Sequence, residues 1–401
     1  MTSEISLAEI AEVYGTPLYV YDTSRIAARY QQLTQAFADA PVRFKYACKA
    51  LSNQNILRFL QKQGAGLDTV SIQEVRLGLM AGFKPEDIIF TPNCVSFDEI
   101  VTAVDLGVHI NIDNISILEQ FGHRFADTVP VCVRLNPHIL AGGNYQISTG
   151  HIDSKFGISI YQMRHVERVV ASTGVRVRGL HMHTGSEIKD IDVFLRGVEI
   201  LFEMTEYFPE LDYIDLGSGF KVAYKEGEFE TDVAALGQRL TARLAEFTAQ
   251  YGRPLELWFE PGKFLVSDAG TFIVQVNVIK QTTATVFAGV NSGFNHLIRP
   301  MFYNAHHEIV NLSNPEGTER IYTVVGNICE TDTFAWDRRI REIREGDFLA
   351  LRNAGAYGFE MASSYNSRFR PAEVMIHEGQ PHLIRQRETM DDLLRGQIVV
   401  I

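Results

Sequence analysis

A small set of polar residues stands where apolar runs stop, and their types suit chemistry on a carbonyl group. Lys49 ends FKYACK, Asp68 follows AGL, and Asn93 and Arg134 fall at the ends of two further runs. His181 and His183 stand two apart in GLHMHTGS with Ser186 behind them, Gly217 and Gly219 follow LDYID, and Glu260 ends LELWFE. Period-two alternation puts Lys45, Ala47 and Lys49 on one face of a strand. An amine buried there loses proton affinity, and a partly neutral amine is what condensation with an aldehyde requires. A solvated lysine at a strand end fits the same string.

The other residues read in the same two ways. A glycine pair directly after an apolar strand lets backbone N–H groups approach a phosphate, and it also makes an ordinary tight turn. A carboxylate in so apolar a run as WFE costs free energy unless it is paired, by a protonated ring nitrogen or by a structural salt bridge. His183 and Ser186 offer a ring to stack and a hydroxyl to donate, although a lone histidine is more often structural.

These residues need a scaffold that gathers strand tips at one end. From about residue 40 to 265 short apolar strands alternate with amphipathic helices: VRFKYACKA, AGLDTV, DIIFTPN, VHINIDN, PVCVRLNP, VRVRGLHMH, LDYID and LELWFE, each followed by a helical stretch or a loop. Eight βα units close a (β/α)8 TIM barrel, whose reactive groups sit at the C-terminal tips of the strands. After Val266 the chain turns to strands and turns with almost no long helix. The expected layout is an α/β barrel over residues 25–266. A β domain, a C-terminal β-barrel or sandwich, is expected from residues 1–24 plus 267–401, with PLYVYD joining it as a strand.

Composition narrows the function. The 401 residues carry 37 Lys plus Arg against 49 Asp plus Glu, a net charge of -12, which argues against nucleic acid or an anionic membrane as partner. The N-terminal stretch is acidic where a signal peptide is basic, and apolar runs fall short of the roughly 20 residues of a membrane span, so a cytoplasmic protein is expected. Cys48, Cys94, Cys132 and Cys329 show no metal-ligand spacing, and no metal is expected.

In order, YACKA, AGLDTVS, STGHIDSKFGI, GLHMHTGS, DLGSGF, EPGK, LIRPMFY, ICETD and NAGAYGFEMASSYNSRFRPAEV resemble the fold-type III pyridoxal-phosphate-dependent decarboxylases, with their alanine-racemase-like barrel. The likeness covers about residues 15 to 390 and is nearest to the diaminopimelate branch of that family. It implies pyridoxal 5'-phosphate as cofactor, an amino-acid substrate, and conversion of meso-diaminopimelate to L-lysine and CO2. By resemblance Lys49 forms the Schiff base, Glu260 keeps the ring nitrogen protonated and His183 stacks on the ring. Ser186, Gly217, Gly219 and Gly262 contact the cofactor, and Asp68 lies near the Schiff base. Lys263, Arg299, Tyr303, Glu330 and Tyr357 match substrate positions, with Tyr357 also on the cofactor. Cys329 matches a catalytic cysteine brought across the interface of a homodimer with shared sites.

Departures from the family pattern fall around the substrate. Lys263 replaces an arginine and cannot give its bidentate fork. Ser218 interrupts a glycine triplet, Thr331 replaces a smaller hydroxyl residue, and HILAGGNYQ replaces a more polar stretch. A decarboxylase of ornithine, lysine, arginine or a secondary-metabolite precursor is the rival reading, and Arg299 favours a substrate with a distal carboxylate. A non-catalytic cofactor-binding homologue would tend to have lost Lys49, Cys329 or the glycine turn.

Overall fold

The computed structural model describes residues 6–139, 154–183, 185 and 190–401. The described chain forms two compact units. One comprises residues 28–222 and 229–264; the other comprises Ala223–Glu228 and Leu265–Ile401 together with the N-terminal stretch ending at Ala27. The excursion over residues 223–228 belongs to the second unit, where the sequence pattern places it in the barrel. Among the described residues no helix is long and apolar enough to cross a membrane.

The first strand, β1 (Leu18–Asp22), lies in the second unit. The barrel is built from β2 (Val42–Ala47), β3 (Gly66–Thr69), β4 (Ile88–Phe90), β5 (His109–Ile112), β6 (Val131–Asn136), the two-residue β7 (Ile158–Ser159), β8 (Val177–Met182), β9 (Tyr213–Asp215) and β10 (Glu256–Phe259). The order β5-β4-β3-β2-β10-β9-β8-β6 is closed by pairing of β5 with β6, so eight strands complete a ring, with β7 appended to β6. All the pairings are parallel. Polar caps start the intervening helices where apolar periodicity begins: Ser71 accepts from the Glu74 amide, Ser96 from Glu99, Asn114 from Ile117 and Asp232 from Ala235.

The ring leaves no room for a pore. Lys45, 1% exposed, sets its ammonium 4.1 Å from the Trp258 ring, and Trp258 stacks on Tyr213 with centroids 3.5 Å apart. Gly179 supplies the space, because a Cβ there would meet the Tyr213 ring at 2.4 Å. Burial pulls the Lys45 amine down to about 8.

In the second unit β1 is the central strand, antiparallel to β11 (Gly270–Gln281) and parallel to β17 (Ala372–His377). The sheet continues from β11 through β12 (Val286–Val290) and β14 (Glu319–Val325) to β15 (Thr333–Arg341). On the other side it ends at β18 (Gln380–Arg385), with β16 (Phe348–Leu351) bridging β11 and β13 (Ile309–Asn311). PLYVYD is central because its leucine, tyrosines and valine are buried, and Tyr21 donates to Glu373 at 2.8 Å in that core.

Candidate active site

The barrel collects its polar residues at the C-terminal tips. β2 stops at Ala47 and a 3-10 turn, Cys48–Ala50, carries Lys49 at the rim. Its side chain is 42% exposed, with Nζ 3.5 Å from Oδ2 of Asp68, which is 1% exposed. This corrects the expectation of an interior amine: alternation holds only as far as the strand does, and the lysine it buries is Lys45. The turn is pinned by the Ala47 amide, which donates to the Pro261 carbonyl at 3.2 Å. Gly262 fits there because a Cβ would lie 3.1 Å from Ala47 Cβ and 3.2 Å from Ala50 Cβ. Burial raises the Asp68 carboxyl to about 7, with the Glu260 charge adding and Lys49 opposing.

Glu260 follows β10 and is 6% exposed. Its amide donates to the Gly217 carbonyl at 2.7 Å, and its Oε2 stands 3.3 Å from Nε2 of the fully buried His181. Burial alone would raise this carboxyl, but the contact with His181 and the Lys49 charge more than offset that and hold it well below the usual carboxylate range. Among the described residues its buried Oε1 has no hydrogen-bond partner.

The glycine turn after β9 faces the same tips. Gly217 (φ +61) and Gly219 (φ +125) take backbone conformations that favour glycine. The Gly217 amide donates to Asp215 Oδ1 at 2.8 Å, and the Ser218 amide donates to His183 Nδ1 at 3.2 Å. His183 therefore carries its proton on Nε2. Burial, with Arg134 and Lys49 nearby, lowers this ring to about 3, so it is neutral at physiological pH. Arg134 is buried with its guanidinium carbon 4.9 Å from the Phe156 ring, and Asn93 donates to Asp113 at 2.5 Å. Lys263 opens the short helix after Gly262. Ser186 lies outside the described residues. His181, Asp215 and Glu260 present atoms within 4.8 Å of one another, close enough for a cation to bridge. However, Lys49 and Arg134 already place positive charge around them.

The remaining sequence-derived residues belong to the β unit. Arg299 opens the short helix Arg299–Tyr303 and is buried, its guanidinium carbon 5.3 Å from the Tyr224 ring and 5.9 Å from that of Tyr303. Its Nε has no hydrogen-bond partner among the described residues. Cys329 and Glu330 sit on an exposed loop, where Asn366 donates to Cys329 Sγ at 3.3 Å and Tyr365 donates to Glu330 at 2.7 Å. Tyr357, half-buried, holds φ at +55. Sequence reasoning missed the loop's clasp, Asp332, which accepts the Phe294 amide at 2.7 Å and the Ile328 amide at 3.0 Å. It also missed Asp215 and Asn111. Asp215 carried a readable signal, a charge inside the apolar run DYIDL, which is the reasoning that singled out Glu260.

The barrel mouth thus presents an amine at the rim, a glycine turn, a neutral imidazole and a buried carboxylate oxygen lacking a donor among the described residues. Those features fit an aldehyde, a phosphate, a ring face and a protonated ring nitrogen in turn. A closed parallel barrel with this set, followed by a β unit, defines the fold-type III class of pyridoxal phosphate enzymes. Residues 23–267 match the family described as pyridoxal-dependent decarboxylase, pyridoxal binding domain. The chain is 41% identical to the diaminopimelate decarboxylase of Methanothermobacter thermautotrophicus over 98% of its own length and 94% of the relative's. It is 35% identical to that of Pseudomonas aeruginosa, covering 98% and 95%. Among solved structures, diaminopimelate decarboxylase from Helicobacter pylori complexed with L-lysine superposes with a TM-score of 0.88 at 30% identity, covering 97% of this chain and 98% of that one. The chain belongs to the pyridoxal-dependent decarboxylases, with pyridoxal phosphate as cofactor.

Proposed function

We propose that the protein is a diaminopimelate decarboxylase, converting meso-diaminopimelate to L-lysine and CO2 in the cytoplasm as a homodimer. The observation that carries this reading is Glu260 Oε1, buried and lacking a hydrogen-bond partner among the described residues, in a barrel mouth that also holds the Lys49–Asp68 pair. The relatives named above add their full-length similarity. The buried Arg299 adds the cation that a substrate with a second carboxylate requires.

Bound pyridoxal phosphate supplies a protonated ring that draws off the electrons of the breaking bond between the α-carbon and its carboxylate. The chain's own residues do the rest. Lys49 would hold the aldehyde carbon reversibly, with Asp68 3.5 Å from its amine. The Gly219 amide would take the phosphate with Ser186, the Gly217 and Ser218 amides being held by Asp215 and His183, and His183 would cover one ring face. Glu260 holds the proton on the ring nitrogen through Oε1. Gly262 keeps the Lys49 turn close, with Lys263 beside it. Arg299, Tyr303, Glu330 and Tyr357 select the distal amino-acid end. Cys329, on the loop beside Glu330, completes the site of the other subunit.

The test is CO2 release from the reconstituted protein with meso- and LL-diaminopimelate, ornithine, lysine and arginine. A preference for meso-diaminopimelate is expected. Faster release from ornithine or arginine would overturn the substrate while leaving the family intact.

A further inference from the structure

Beneath the mouth the barrel holds a second tier of polar residues that the reaction as described does not use. Asn111, 1% exposed on β5, sets its Nδ2 2.9 Å from Nδ1 of His181 on β8, and Nε2 of the same ring, which makes no aligned hydrogen bond among the described residues, lies 3.3 Å from Glu260 Oε2. With the Asn111 amide nitrogen toward the ring, Nδ1 is the acceptor and the proton of the neutral ring lies on Nε2. The opposite tautomer would require the Asn111 amide turned over. It would then set the bare lone pair of Nε2 against a carboxylate oxygen, a repulsive contact.

We propose that Asn111 and His181 form an uncharged relay that holds Glu260 as an ionised acceptor for the cofactor's ring nitrogen, with His181 as the positioning residue. This deepens the reading above and rests on its placing of Glu260 at that nitrogen. A neutral donor is the right partner for the purpose. An imidazolium would neutralise Glu260 and compete with the ring for its charge, whereas a neutral N–H orients the carboxylate and leaves its charge available.

The surroundings favour the neutral ring. The charges facing this tier are Arg134 and Lys49 on the positive side and Asp68, Asp215 and Glu260 on the acidic side, with His183 above. Burial lowers the His181 ring; Glu260 opposes this, and Arg134 and Lys49 add to it. Burial beside Glu260 pushes Asp215 well up and raises Asp68 to about 7, whereas Glu260 is held below the usual carboxylate range. Carboxyls split in this way mark which one serves as the anion.

The experiment has two readouts. In the wild-type chain without cofactor, nitrogen-15 histidine NMR is expected to show His181 neutral with its proton on Nε2; a proton on Nδ1, or an imidazolium at neutral pH, overturns the relay. In protein loaded with ring-labelled pyridoxal phosphate, the nitrogen-15 shift reports ring protonation at neutral pH. His181→Leu is expected to lose the protonated signal and His181→Gln, whose amide donates in place of Nε2, to keep it. A protonated ring in His181→Leu overturns the proposal. Should His181→Leu not fold, Asn111→Leu, which removes only the Nδ1 donor, is expected to weaken the protonated signal, and an unchanged signal there overturns it equally. A wild-type chain that takes up no pyridoxal phosphate would instead sink the reading of Glu260's ligand, an outcome the cofactor-free NMR tells apart from failure of the relay.

Discussion

The Glu260 amide donates to the Gly217 carbonyl at 2.7 Å, so the carboxylate proposed for the ring nitrogen and the turn proposed for the phosphate are tied by one backbone bond. Gly217 also lies against His183. A Cβ at this position would sit 2.5 Å from His183 Nδ1 and 2.7 Å from the Met182 carbonyl. Gly217→Ala is therefore expected to combine the cost of a left-handed alanine, about 1 kcal/mol, with a clash that shifts His183. Gly252 is the control, because its φ is +78 and a Cβ there would meet nothing within 4 Å. Thermal melts should show a modest loss for Gly252→Ala and a larger one for Gly217→Ala. Only the latter should weaken cofactor binding in a titration.

Asp68 predicts a pH signature of stability. Its carboxyl is raised to about 7 in the folded chain against the ordinary 3.8. Between those values the folded state keeps a proton that the unfolded state has lost. Stability therefore falls as pH rises through this window, by up to about 1.4 kcal/mol per pH unit, and levels off above the folded value. Asp68→Asn has no such linkage. Without cofactor, the stability of Asp68→Asn relative to wild type should climb from about pH 4 to 7 and then flatten; a difference independent of pH would mean that Asp68 is ionised throughout.

The barrel and most of its mouth were readable because a βα unit announces its own strand tip. Glu260, His183 and Gly217 each follow an apolar run directly, so their position needed only the local pattern. Lys49 shows where that logic ends, since alternation treats Lys45 and Lys49 alike and cannot see the strand stop at Ala47. The second tier was out of reach for another reason. Asn111 and His181 are 70 residues apart and meet only because β5, β6 and β8 are neighbours in a closed ring. Asp332 was hidden similarly, its partners Phe294 and Ile328 being brought to it by separate turns.

Arg299 tests the substrate. A buried guanidinium whose Nε has no partner among the described residues suits a planar anion, and Arg299→Lys keeps the charge while losing the fork. Loss of one charge-assisted bond is worth about 1.5–3 kcal/mol, which corresponds to roughly 10- to 150-fold. KM for meso-diaminopimelate should rise by that order with a smaller change in kcat, while cofactor absorbance stays as in wild type. An unchanged KM would remove Arg299 from the substrate site.

Shared sites make a counting prediction. If Cys329 of one subunit completes the Lys49 site of the other, random mixing of Lys49→Ala and Cys329→Ala chains gives half heterodimers, each with one intact site of two. About a quarter of wild-type activity should return after dissociation and reassembly. Mixtures as inactive as their components would show that each subunit works alone.

The loop that bears Cys329 and Glu330 depends on a buried carboxylate. Asp332, 4% exposed, accepts one amide through each oxygen, Phe294 through Oδ1 and Ile328 through Oδ2. Gly293 and Gly326 leave it room, since a Cβ on either would lie 2.3 Å or 2.1 Å from Oδ2. Asp332→Ala orphans both amides, at about 1–3 kcal/mol each, whereas Asp332→Asn keeps one acceptor oxygen and should lose about half as much. If the clasp only stabilised the fold, activity of the surviving folded protein would be normal. Because it sets the loop, folded Asp332→Asn should instead show a raised KM for meso-diaminopimelate, with its cofactor spectrum intact. A normal KM alongside a lowered Tm would reduce Asp332 to a fold-stabilising residue.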